Sequence, residues 1–125
     1  MNNIKFNYLY RDAGNYKKWA EVVFSNPDRL SLELVTKDLQ DAFLQDGLFI
    51  AHQVRLPEAF FSIGGDATSD DHCFHEFDTV EISLEIPNDR YARSISQFIA
   101  EVKRAAERGW MTFDPHDVSG KRILN

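Results

Sequence analysis

The sequence predicts an α+β fold: one mostly antiparallel sheet of about four strands, with two helices packed on one face. Three observations predict it. Residues 3–11 and 79–86 alternate apolar and polar side chains with the period of a strand. Residues 32–43 and 95–106 repeat apolar side chains at helical spacing. Together with two shorter strand signals, these give the order β-β-α-β-β-α, which suits hairpins and helices on a single sheet. The 125 residues fit one domain, read as 1–118, with 119–125 as a loose tail.

The first strand alternates Ile4, Phe6, Tyr8 and Tyr10 against Lys5, Asn7 and Arg11, with Leu9 as the exception. Asp12-Ala13-Gly14-Asn15 has turn chemistry. A second strand at 17–25 puts Ala20, Val22 and Phe24 on one side and Trp19, Glu21 and Val23 on the other, so the two form a hairpin. Asn26-Pro27-Asp28 stops it. Ser31 is the expected N-cap of a helix reaching about Leu44, with Leu32, Val35, Leu39, Ala42 and Phe43 as its inner stripe. Gly47 breaks that helix. Residues 48–55 read as a third strand.

The fourth strand, 79–86, should turn Val80, Ile82, Leu84 and Ile86 inward. Carried backwards, that parity also puts Asp78 and Glu76 on the core face, where unpaired carboxylates are costly. Either a bulge near Phe77 changes the register, or the acids meet a cation such as Arg11, Lys17 or Lys18. The second helix opens with a capping box, Ser94-Ile95-Ser96-Gln97, carries Ile95, Phe98, Ile99, Val102, Ala105 and Ala106 inward, and stops at Gly109. Trp110, Met111 and Phe113 are expected to dock behind it.

Charge is unevenly placed. Between Arg55 and Arg90 there is no lysine or arginine, but there are nine carboxylates: Glu58, Asp66, Asp70, Asp71, Glu76, Asp78, Glu81, Glu85 and Asp89. This stretch carries −9 and the remainder +3, within a net charge of −6. Such a segregated field selects basic partners. It opposes binding to a phosphate backbone, although Tyr8, Tyr10, Tyr16 and Trp19 interleaved with Arg11, Lys17 and Lys18 have the residue types of a single-strand platform. No segment approaches the ~20 apolar residues of a membrane span, the N-terminus lacks a signal-peptide core, and the one cysteine, Cys73, cannot form an internal disulfide. The expected location is the cytoplasm. An exposed edge strand at 3–11 or 48–55 would leave a homodimer open.

The run Asp70-Asp71-His72-Cys73-Phe74-His75-Glu76 consists largely of metal-ligand types. A divalent ion such as zinc would use His72, His75, Asp71 and Glu76 if the segment made a helical turn; an extended segment would point the two rings apart. Cys73 as a nucleophile is opposed by its acidic neighbours, which raise a thiol's pKa. No Ser-His-Asp set can be assigned, and Gly64-Gly65 lacks the Lys-Ser/Thr of a phosphate loop.

The phrases Tyr8-Leu9-Tyr10-Arg11-Asp12, Asn15-Tyr16-Lys17-Lys18-Trp19 and Glu21-Val22-Val23-Phe24-Ser25-Asn26-Pro27, with Asp71-His72 and His75-Glu76-Phe77 later, resemble a family of small bacterial proteins without an assigned activity. The similarity spans residues 5–82. It implies a bacterial or mobile-element setting and transfers no catalytic role.

These readings converge on a small, acidic protein-binding module of immunity, antitoxin or inhibitor type rather than an enzyme. Asp66, Asp70, Asp71, Glu81 and Glu85 would engage a basic protein surface. The alternative is a metal-dependent hydrolase or nuclease built on His72, His75 and their neighbouring acids.

Overall fold

The computed structural model of the protein describes residues 2–12, 14–59 and 72–113. The element order is β1 (Asn3–Arg11), β2 (Lys17–Phe24), α1 (Leu32–Ala42), a 3-10 turn (Gln45–Gly47), β3 (Leu48–Phe49), a second 3-10 turn (Ala51–Val54), β4 (His75–Ser83) and α2 (Ile95–Arg108). The four strands form one antiparallel sheet in the order β2-β1-β4-β3. The α+β architecture is the one the alternation and the helical stripes predict. The expected tail 119–125 lies outside the described residues.

β1 runs through the middle of the sheet. Its alternation buries Ile4, Phe6 and Tyr8 in the core with the helices, and Tyr10 in a smaller cluster with Ala59. Phe6 stacks on Phe77 at 5.4 Å between centroids and meets the edges of Phe49 and Phe98. Each such side chain removed from water stabilises the fold by roughly 1.5–3 kcal/mol. From α1 come Val35, Leu39 and Phe43; from α2 come Ile95, Phe98, Ile99, Val102 and Ala105.

The helix ends obey local chemistry. Ser31 Oγ accepts the Leu34 N–H at 3.1 Å. Ser94 Oγ accepts the Gln97 N–H, and Gln97 Oε1 accepts the Ser94 N–H, so both halves of the capping box are made. Gly109, at φ 96°, closes α2 by donating to Ala105 and Ala106. Trp110 then packs on the core and donates to the Ala42 carbonyl at 3.2 Å, tying the ends of the two helices together. Phe113 docks against the Tyr10 and Ala59 cluster, whereas the Met111 side chain stays exposed.

The expected third strand is much shorter than 48–55. Only Leu48 and Phe49 pair, with Glu76 and His75. Ile50, Ala51 and Val54 are all buried, a spacing that suits a helical turn better than a pleat, and Arg55 ends the turn in the left-handed region at φ 57°. The fourth strand also stops early. Ser83 pairs with Asn3, the first residue of β1, so the chain beyond it has no neighbouring strand to pack on. Ser83 Oγ accepts the Glu85 N–H at 3.0 Å and bends the chain there. Leu84 and Ile86, expected inside, are 81% and 85% exposed.

One buried guanidinium organises the far end. Arg93, 5% exposed, spends all five N–H donors: on both oxygens of Asp89, on the Val54 and Arg55 carbonyls, and on Glu101. It fixes the turn after β3, the loop before α2 and the middle of α2 relative to one another.

Candidate functional site

A bulge in β4 sets which side chains reach each face of the sheet. Asn7 pairs with Thr79, but Tyr8 pairs with Phe77, so Asp78 is an extra residue in β4. The slip reverses the parity: Val80 faces in above it, and Phe77 and His75 face in below it. Glu76 is therefore turned to the outer face. There Arg11 grips it with two hydrogen bonds of 2.8 and 3.2 Å. The two remedies considered for the misplaced acids, bulge and internal cation, both operate. Lys17 and Lys18 are exposed and take no part.

The two histidines of this segment are built into the fold. His75 is fully buried between Tyr8, Tyr10 and Phe49, and its Nε2 accepts the Ala59 N–H at 2.8 Å. His72 donates from Nε2 to the Arg11 carbonyl at 2.8 Å and accepts the Phe74 N–H at Nδ1. Both of its ring nitrogens are thus engaged with the backbone, and the ring of Tyr10 lies 5.2 Å from it. Tyr10 itself donates to the His72 carbonyl. Glu76 is held by Arg11, and Asp71 lies outside the described residues. Among the described residues no three His, Cys, Asp or Glu side chains are grouped to hold a metal ion. Cys73 is buried, and burial pushes its thiol up, away from the thiolate that a nucleophile requires.

The acids proposed for binding are distributed differently from the charge map. Asp66 and Asp70 also lie outside the described residues. Glu85 is bound by Lys5, which reaches Glu21 as well at 3.3 Å; the Lys5 hydrogen bond holds the Glu85 carboxyl below its usual range. Glu81 accepts from Asn7 Nδ2 at 2.9 Å on the outer face. Asp89 is buried against Arg93, and Glu58 lies 3.6 Å from His52 Nδ1. Of the described carboxylates in this segment, Asp78 and Glu81 alone have no ion pair.

What sequence reasoning missed is the edge beside them. β3 covers β4 only at His75 and Glu76, and the backbone of Gly47 lies against Phe77, where an added Cβ would come within 3.4 Å of the Phe77 Cβ. From 78 to 83 the outer side of β4 meets no strand among the described residues. Ile82, 44% exposed, lies on this stretch; after the bend at Ser83 the chain leaves the edge and crosses towards β2, with Glu85 on Lys5 and Asn88 on Val23, so exposed Leu84 and Ile86 stand on that crossing. The two segments named earlier as exposed edges are not of this kind: β1 is flanked on both sides, and only two residues of 48–55 are strand. The opposite edge, β2, is guarded. Asn88 takes both the N–H and the carbonyl of Val23, and Lys17 and Lys18 line the rest. No signal along the chain marks this edge, because it follows from the shortness of β3 and from its register on β4.

No helix among the described residues is long and apolar enough to cross a membrane. No family model, curated protein or solved structure matches this chain.

Proposed function

We propose that the protein is a small protein-binding module, of immunity, antitoxin or inhibitor type, that captures an extended basic segment of its partner along the open edge of β4. The observation that carries this reading is the run 78–83, whose outer side meets no strand among the described residues and which carries half-exposed Ile82. An added strand gains main-chain hydrogen bonds from such an edge and reads specificity from alternate side chains. The partner chemistry follows from charge. Asp78 and Glu81 flank the edge without ion pairs, no lysine or arginine occurs in 56–89, and the chain carries −6 overall. A strand alternating apolar and basic residues complements that surface, and the net charge speeds its approach.

The test is an NMR titration of the labelled protein with a synthetic peptide of alternating valine and lysine. The expected result is saturable amide shifts concentrated at 78–83, lost in Ile82→Lys/Leu84→Lys and absent with an alternating valine and glutamate peptide. Shifts that map elsewhere, or that survive the double substitution, would overturn the proposal.

A further inference from the structure

A second surface is independent of the β4 edge. A cleft of about 620 Å³ is bounded by His52, Arg55, Pro57, Asn88, Arg90 and Tyr91. A neighbouring one of about 470 Å³ shares His52 and Arg55 and adds Arg104 and Arg108 of α2. Both volumes fall in the range of small-molecule sites. We infer that this arginine-lined double cleft binds a small, multiply charged oxyanion, either a phosphate-bearing or a polycarboxylate molecule.

Most of the charges around the clefts are already spent within the fold. Three carboxylates line the clefts. Glu58 sits by His52, Asp89 is held by Arg93, and Glu101 is shared by Arg93 and Arg55 at 3.1 and 2.6 Å. Arg93 is buried and saturated, so its part is to position the walls, not to touch a ligand. What remains is Arg90, Arg104 and Arg108, all exposed and without a carboxylate partner among the described residues. In a chain of net charge −6 this concentration of unpaired guanidinium is unexpected.

Helix energetics explain only part of it. The carbonyl end of α2 favours a cation such as Arg108 in its last turn. Arg104 and Arg108 nevertheless stand four residues apart, where like charges repel by a few tenths of a kcal/mol. Arg90 lies in the loop before α2 and has no such reason. The frame is also stiff. Arg55 is held to Glu101 by two hydrogen bonds and lies 4.4 Å above the Tyr91 ring, while Arg93 bonds the carbonyls on which Arg55 is mounted. On that frame the free guanidinium forks of Arg90, Arg104 and Arg108 suit the oxygens of phosphates and carboxylates. Half-exposed Tyr91 offers an apolar face to the rest of the molecule.

The experiment is calorimetry at low salt with inorganic pyrophosphate and, separately, citrate, followed by an NMR map of the better binder. The expected result is saturable binding of at least one, with amide shifts at 52–55 and 88–91. Arg90→Ala and Arg104→Ala/Arg108→Ala should each weaken it by about tenfold or more, with unfolding midpoints nearly unchanged because these side chains have no hydrogen bond or ion pair among the described residues. Pyrophosphate alone would identify a phosphate ligand, and citrate alone a carboxylate one. Absence of saturation by both, unchanged affinity in both variants, or shifts confined to Lys17 and Lys18 would overturn the inference. Ile82→Lys/Leu84→Lys should leave this binding intact, so the two surfaces stand or fall separately.

Discussion

The β4 edge and the arginine cleft reverse what their sequences suggest about charge. The stretch containing β4 is the most acidic in the chain, yet Lys5 and Arg11 reach across from β1 to neutralise Glu85 and Glu76. The cleft draws on residues with three carboxylates among them, yet Arg93 and Arg55 hold Asp89 and Glu101 from within, which leaves the other arginines to dominate the local field. Formal charge along a sequence is therefore a poor map of the field outside a protein. What matters is the charge left over after long-range pairing, and pairing is decided by which strand lies beside which. At the edge the surplus is small and the backbone is the offered group; in the cleft the surplus is the offered group.

The largest expected effect separates the frame of the cleft from its surface. Arg93→Met should cost about 3–5 kcal/mol in urea unfolding, because it strands a buried carboxylate at Asp89 and unpairs two carbonyls. Arg90→Ala should cost less than about 0.5 kcal/mol. Similar losses from both would mean that the cleft has no distinction between wall and rim.

The next effect concerns the histidines at the start of β4. His75→Ala removes a fully buried ring and the acceptor for Ala59, and should cost about 2–5 kcal/mol. His72→Ala, half-buried, should cost about 1 kcal/mol. Zinc, manganese or nickel should not shift the melting temperature of the unsubstituted protein; a stabilisation abolished by His72→Ala would revive the metal reading.

Acid sharpens the comparison further. Burial alone would raise the carboxyls of Asp89 and Glu101, but hydrogen bonds from Arg93 and Arg55 outweigh it and hold both below their usual range. The unfolded chain then takes up these protons first as pH falls. Their contribution is complete above about pH 5 and drains away below about pH 4, through the lowered native values. Urea midpoints measured downward from pH 7 should show this loss, and Arg93→Met should flatten it. The smallest effect lies just past the edge: Leu84→Lys should move stability by less than about 0.5 kcal/mol, since an 81% exposed side chain has little to lose.

Much of the fold was legible along the chain. Ser31, the Ser94 and Gln97 box and Gly109 mark helix ends through hydrogen bonds made within four residues, and the stripes of α1 and α2 follow from their own periodicity. The candidate sites were far less legible. Arg93 gives no sequence signal beyond Asp89 four residues earlier, and its other partners lie at Val54, Arg55 and Glu101. His72 and His75 look like ligands because ligand chemistry and backbone-bonding chemistry use the same ring nitrogens.

By itself, then, the order of residues determined the two helices, their caps, the first hairpin and the segregation of acids into one stretch, because each depends on neighbours a few positions away. The tertiary structure decided the bulge at Asp78, the burial of His75, the exposure of Leu84 and Ile86, and which charges remain unpaired. Those depend on register between strands up to some 80 residues apart, as in Asn3 beside Ser83, and a single residue of slip moves every side chain to the other face.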